Sequence, residues 1–275
     1  MIPKHITTPI MITTHITTPM MITTPIMIPT PIMIPKIQFI YLFIIPTTEV
    51  ADNRNFNVVA GILGLSRNSS LSIVRETDQK YGRIFSYCIP SDISLTGFLK
   101  LGKTDYPKNL NFTPFITYNS NHPAFFYFIK ITSIRVGNSS IDTSELNNHG
   151  TIIDSGVSFT RLPMIVYEAM RDEFQKQMNN SGYRNNSDTC YDFSSNNPNF
   201  IIPTITFTFE GDVTLELGES ASLYDAYSTI KCLAFVGNRD RKYDLTIFGN
   251  TQQKTLEVVY DYEGKGLGFI PNGCN

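Results

Sequence analysis

Tryptophan is absent from the 275 residues, and charge is sparse, with Asp, Glu, Lys and Arg together making 17% of the chain. A net charge of −2 gives no field to draw in nucleic acid or an acidic membrane, and no Lys/Arg run concentrates positive charge locally. No apolar run is long enough to cross a bilayer: Ile37 to Ile45 is nine residues where about twenty are needed. That run also lacks the N-terminal position and small-residue cleavage site of a signal peptide, so none is expected. Cysteine is scarce. Cys88, Cys190, Cys232 and Cys274 include no pair at the spacing of a zinc knuckle or a thioredoxin-type redox centre. Either two long-range disulfides or four buried thiols would fit. The zinc-protease helix, the Gly-x-Ser-x-Gly elbow and the dinucleotide fingerprint are all missing. No cofactor and no metal are expected.

Hydrophobic residues make 41% of the chain, enough for a sizeable core. They are unevenly used. In residues 1–46, His5-Ile6-Thr7-Thr8-Pro9 recurs ten residues on as His15-Ile16-Thr17-Thr18-Pro19. Pro25-Ile26-Met27-Ile28 then recurs after six as Pro31-Ile32-Met33-Ile34. Regular prolines forbid a helix and remove ladder donors, and the periods are too short for a solenoid. Residues 1–46 are therefore read as a low-complexity, disordered Pro/Thr/Ile/Met repeat. Its two histidines are passengers in the repeat.

Beyond about Val50 the pattern is mainly β. Short apolar or alternating runs at Ala60 to Leu65, Ile84 to Ile89, Phe98 to Leu101, Phe125 to Val136, Thr204 to Phe209 and Val213 to Leu217 predict strands. Lys231 to Val236, Leu245 to Phe248, Leu256 to Asp261 and Gly266 to Ile270 extend the series. One amphipathic helix is predicted over 70–81, and a clearer one from Pro163 to about Met178, where Val166, Met170 and Phe174 form a buried stripe. A polar Asn/Ser loop leads from it to Cys190. Asn68, Asn111, Asn138, Asn179 and Asn185 are glycosylation candidates by their N-x-S/T sequons and point to a secretory history.

Gly97-Phe98-Leu99-Lys100-Leu101-Gly102-Lys103-Thr104 matches the phosphate-loop pattern letter for letter. Phosphate binding needs a loop whose amides wrap the anion and a helix that starts at once. Phe-Leu-Lys-Leu reads as strand, and Asp105-Tyr106-Pro107 stops a helix instead of opening one. Nucleotide binding is rejected.

The stretch with the strongest claim to chemistry is Gly150-Thr151-Ile152-Ile153-Asp154-Ser155-Gly156-Val157. A β-branched strand runs into a carboxylate, a hydroxyl and a glycine, presenting Asp154 at a sharp turn that Gly156 relieves. Asp-Ser-Gly alone is ordinary turn chemistry. Its company is not. In order, GILGLSRNSSLSIV from Gly61, FSYCIP from Phe85, GFLKLG from Gly97, FFYFIKITSIRVG from Phe125 and GTIIDSGVSFTRLP from Gly150 are followed by DTCYDF from Asp188, KCLAFVGN from Lys231, IFGNTQQ from Ile247 and VVYDYEGKGLGFIPNGC from Val258. This set, over roughly residues 50–275, resembles the plant nepenthesin-type branch of the pepsin-like aspartic proteases.

The resemblance implies two β-rich lobes, each delivering one Asp-Thr/Ser-Gly loop to a shared cleft. It makes 47–107 a remnant of a truncated N-terminal lobe and 108–275 one complete C-terminal lobe. Asp154 would be the catalytic aspartate of that second lobe, in an active-site loop with Ser155, Gly156 and Val157. Ile247, Phe248 and Gly249 would be its loop-crossing strand, and Ile62-Leu63-Gly64 the first-lobe counterpart. The same likeness implies disulfides Cys190–Cys232 and Cys88–Cys274, protein or peptide substrates, and a secreted or vacuolar location. Two departures stand out. There is no second Asp-Thr/Ser-Gly, since Asp142-Thr143-Ser144 lacks the glycine, and Val157 stands where the family has Thr or Ser. The expected function is aspartic endopeptidase by family, inactive as this chain alone. The alternatives are a non-catalytic binding protein, such as a xylanase inhibitor with a glycosidase as partner, or a truncated gene product.

Overall fold

A computed structural model describes residues 11–13, 62–67, 69, 72–91, 95–103, 106–117, 125–146, 150–178, 183–185, 188–194, 201–238, 245–264 and 266–274. Among these residues the architecture is mainly β, with strands gathered in five sheets. One sheet of five runs Phe235–Asn238, Thr160–Pro163, Thr246–Phe248, Thr151–Ile153, Phe128–Ile129 in spatial order. A second five-stranded sheet runs Phe98–Leu101, Ile84–Cys88, Glu257–Asp261, Gly266–Ile270, Phe112–Thr113 and is antiparallel throughout. Val213–Leu217, Ile205–Phe209, Ile131–Val136 and Ser139–Ile141 form a third sheet, and Tyr183–Asn185, Asp188–Asp192, Ile230–Leu233 and Leu223–Tyr227 a fourth. The fifth is the parallel pair Met11–Thr13 with Ile62–Gly64. Met11–Thr13 falls in the proline-free interval of the repeat, between Pro9 and Pro19. The rest of residues 1–46 lies outside the described residues.

Alternation does its expected work in Ile205–Phe209 and Val213–Leu217, whose odd positions are buried and whose even ones face out or lie half-buried. The helix Met164–Gln177 covers the sheets with Val166, Met170 and Phe174, all fully buried, beside Tyr167 and Arg171. Pro163 ends the preceding strand and caps this helix, so helix begins one residue later than the proline suggested.

Four expectations change. The single helix predicted over 70–81 is two short ones, Ile73–Glu76 and Asp78–Tyr81, parted at Thr77. Its hydroxyl turns back to the Ile73 carbonyl at 2.7 Å, the local competition that makes Thr a weak helix former. The long run Phe125 to Val136 is broken at Lys130, placing Phe128–Ile129 and Ile131–Val136 in different sheets. Lys231 to Val236 splits likewise around Ala234, whose amide bonds the Ser222 carbonyl at 2.8 Å. The polar loop before Cys190 contains a hairpin, Tyr183–Asn185 with Asp188–Asp192.

Cys88 is bonded to Cys274 and Cys190 to Cys232, closing loops 186 and 42 residues apart in sequence. Cys190 and Cys232 are direct cross-strand partners. The first bridge ties the chain's last residues to the Ile84–Cys88 strand. That strand's aromatic side chains meet the C-terminal strands, with Phe85 stacked on Tyr260 at 4.3 Å between centroids. The supposed phosphate loop is a strand, Phe98–Leu101, paired antiparallel to Phe85–Cys88. No helix among the described residues is long and apolar enough to cross a membrane.

Candidate active site: the Asp154 loop and its crossing strand

Asp154 leaves the end of Thr151–Ile153, a strand sandwiched in its sheet between Phe128–Ile129 and the parallel Thr246–Phe248. The residues alternate no polarity here because both faces are covered, which is why the run is Ile-Ile. The Asp154 amide donates to the Phe248 carbonyl at 3.0 Å, continuing the parallel ladder by one residue. Its carboxylate then accepts the Gly156 amide at 2.7 Å in an Asx turn. The side chain is only 1% exposed, and Ser155 equally so. The positive-φ glycine of this region is Gly150, φ 78, ahead of the strand, and not Gly156.

The turn is held from one side by the residues after Phe248. Gly249 donates its amide to the Thr160 hydroxyl at 3.0 Å. Asn250 gives its side-chain amide to the Ser155 carbonyl at 3.1 Å and its backbone amide to Val157 at 2.7 Å. Thr251 bonds the Ser158 carbonyl at 2.9 Å. Gln252, fully buried, accepts both the amide and the hydroxyl of Thr160, at 3.0 and 2.6 Å, and donates to the carbonyls of Ala221 and Ala234 at 2.7 and 3.0 Å. Two segments far apart in sequence are thus laced residue by residue. Ile247 and Phe248 lie in the strand Thr246–Phe248, with Phe248 opposite Ile153 in parallel register, and Gly249 follows directly.

Two buried phenols meet the same segment. Tyr87 donates to the Gln253 side-chain oxygen, and its oxygen lies 3.3 Å from that of Tyr260. Gln253 in turn donates to the carbonyls of Phe248 and Gly249 at 2.9 and 3.1 Å. Burial above all pushes both phenols well above the ordinary tyrosine range; the Asp154 charge adds to this, and the Ser155 hydroxyl hydrogen-bonds Tyr87. They stay protonated and act as fixed donors beside a carboxylate. Val157, 3% exposed, carries methyls and no hydroxyl, and its amide donates to the Asp154 carbonyl at 3.4 Å.

Composition and strand pattern did not single out Asn250, Gln252, Gln253, Thr160, Tyr87 or Tyr260. The available signal was the run Asn-Thr-Gln-Gln directly after an apolar-apolar-Gly strand, four polar residues that all turn out to be buried. Of the glycosylation candidates, Asn111 and Asn138 are exposed, and Asn185 ends the Tyr183–Asn185 strand. Asn68 and Asn179 lie outside the described residues. No group of three or more His, Cys, Asp or Glu among the described residues could hold a metal ion.

An aspartate at the end of one parallel strand, crossed by an apolar-apolar-Gly strand within a β-rich lobe, marks the acid-protease class of fold. Residues 126–271 match the family described as Xylanase inhibitor C-terminal. An aspartyl protease family protein of Arabidopsis thaliana is 41% identical over 227 residues, covering 80% of this chain and 46% of that protein. Aspartyl protease AED1 of the same plant is 43% identical over 228 residues, 80% of this chain and 47% of its own. Nepenthesin-2 of Nepenthes gracilis is 32% identical over 203 residues, covering 69% and 45%. The chain spans about half the length of the curated relatives it matches. Among solved structures, soybean basic 7S globulin superposes with a TM-score of 0.65 at 20% identity, over 80% of this chain and 59% of that one. Lupine conglutin gamma gives 0.61 at 21% identity, over 78% and 57%. At such identities these two share the fold alone. The chain belongs to the pepsin-like aspartic protease family of plants and carries its Xylanase inhibitor C-terminal domain.

Proposed function

We propose that this chain supplies the second-lobe half of a pepsin-like endopeptidase site, with Asp154 as a catalytic carboxylate and peptides as the substrate class. The observation that carries the reading is the lacing of the Asp154 turn by Gly249, Asn250 and Gln252, which fixes one buried carboxylate at a strand end. Ser155 braces the turn through Tyr87.

Peptide hydrolysis of this kind needs two carboxylates. Crowded together they share one proton, so that the ionised one activates water while the protonated one hydrogen-bonds the scissile carbonyl. These 275 residues contain one Asp-Ser-Gly and no second Asp-Thr/Ser-Gly. A lone Asp154 is either base or acid at a given moment, so the chain by itself is silent. Purified protein on denatured haemoglobin at about pH 3 to 5 shows no pepstatin-blocked cleavage on this reading. Cleavage that pepstatin blocks and Asp154→Ala abolishes would overturn the silence.

A second reading, favoured by Val157 in the turn and by the description of the matched family, is a non-catalytic protein that binds a glycosidase. Saturable capture of a microbial xylanase by the folded monomer would promote it over the first. In either case the two disulfides and the exposed sequons at Asn111 and Asn138 support a secreted or vacuolar route.

A further inference from the structure

Two parallel strand pairs in this chain share one register. In the second lobe, Thr151, Ile152 and Ile153 face Thr246, Ile247 and Phe248, so Asp154 comes level with Gly249. Near the N-terminus, Met11, Ile12 and Thr13 face Ile62, Leu63 and Gly64. Each pair contains an apolar-apolar-Gly strand, Ile247-Phe248-Gly249 and Ile62-Leu63-Gly64. Laying Gly64 on Gly249 carries Ile12 onto Ile153 and Thr13 onto Asp154. The sequence pattern agrees, because Met11-Ile12-Thr13-Thr14 then matches Ile152-Ile153-Asp154-Ser155 with one apolar residue before the key position and a hydroxyl after it.

An independent contact brings the two crossings together. The buried Tyr127 donates its hydroxyl to the carbonyl of Leu65, one residue past Gly64, at 3.0 Å. Its own carbonyl accepts the amide of Ile153, one residue before Asp154, at 3.2 Å. One residue, through its hydroxyl and its backbone carbonyl, therefore links the chain just past the strand that pairs with Thr13 to the strand that ends in Asp154. We propose that Thr13, supplied by the N-terminal repeat, occupies the position of the absent first-lobe aspartate, opposite Asp154. This rests on the reading of Asp154 as one half of a dyad. In this register residue 13 is a threonine where the matching strand has Asp154, so the repeat closes the strand crossing and supplies no second carboxylate there.

The test is a double-mutant cycle in the full chain, Thr13→Asp and Asp154→Asn singly and together, read as the folded-to-unfolded ratio in urea at about pH 4 and about pH 7. Adjacent carboxylates cannot both ionise, so Thr13→Asp costs about tenfold more in that ratio at the higher pH. With Asp154→Asn the extra cost falls below about twofold. Equal pH dependence in both backgrounds overturns the proposal. So does the same coupling from Thr23→Asp, which lies in the second Met-Ile-Thr-Thr copy, Met21 to Thr24. Should Thr13→Asp fail to fold, cysteine pairs decide. Thr13→Cys with Gly64→Cys closes a disulfide and Thr23→Cys with Gly64→Cys stays reduced; any other pattern overturns the register. Neither readout uses peptide hydrolysis, so failure here leaves the Asp154 reading intact, and a wild type that cleaves overturns the silence of the chain without moving the register.

Discussion

The side-chain amide of Asn250 donates to the backbone carbonyl of Ser155 across 3.1 Å, joining the end of one crossing to the turn of the other. Asn250 is 3% exposed, so neither group has bulk water to fall back on. Asn250→Ala keeps the backbone bond to Val157 but removes this donor, at a cost of about 2 kcal/mol. Urea denaturation measures it. A loss below about 0.5 kcal/mol would mean that the side-chain bond does not hold the turn.

Gly249 is glycine because another backbone passes over it. A Cβ there would lie 2.6 Å from the Phe159 carbonyl carbon and 2.9 Å from the carbonyl oxygens of Ser158 and Phe159. None of these is a flexible side-chain tip, so the crossing itself has to move. Gly249→Ala is expected to cost about 3 kcal/mol. Gly218→Ala, where nothing lies within 4 Å, is the control and costs less than about 1 kcal/mol. Equal losses at the two sites would show that the crossing is not tightly packed.

Much of this was legible in the sequence, for identifiable reasons. Thr204 to Phe209 and Val213 to Leu217 alternate because one face of their sheet is buried, and local pattern records that directly. Val166, Met170 and Phe174 announce their helix in the same way. What escaped was decided by partners distant in the chain. The breaks at Lys130 and Ala234 answer to which sheet needs the next residue, and no period in Phe125 to Val136 or Lys231 to Val236 marks them. Gln252 looks like any polar residue until its bonds to Thr160, Ala221 and Ala234 are seen. Asp154 could be read as a candidate because its neighbours in sequence are also its neighbours in the turn.

Acid stability has a contributor remote from the turn. Glu173 accepts hydrogen bonds from Gln177 and Ser139, each at 2.7 Å, and from Lys176 at 3.1 Å. Together they hold its carboxyl down from the ordinary 4.5 to about 2. A carboxylate depressed in the folded state lends stability above its unfolded value, and that stability drains away as pH falls through the folded one. The wild type therefore loses stability between about pH 4.5 and about pH 2 through this group. Glu173→Gln lacks the loss, giving a flatter melting curve in that interval and a lower Tm above it. Parallel Tm profiles across the interval would remove Glu173 from the account.

Val157→Thr asks whether a hydroxyl at this position reaches the Asp154 carboxylate. The swap conserves volume but introduces a hydroxyl at a site 3% exposed. Without an acceptor, a buried hydroxyl costs about 1–3 kcal/mol, and the cost is the same at neutral and acidic pH. With the Asp154 carboxylate as acceptor, the bond offsets that cost and favours the ionised form. The expected outcome is a variant within about 1 kcal/mol of wild type at pH 7 whose relative stability declines as the solution is acidified. Thermal melts of both proteins across that range measure it, and Asp154→Asn in the same background should erase the pH dependence. A uniform penalty would place residue 157 out of reach of the carboxylate. Peptide cleavage is not expected from Val157→Thr in either case, because the hydroxyl orients one carboxylate and supplies no second.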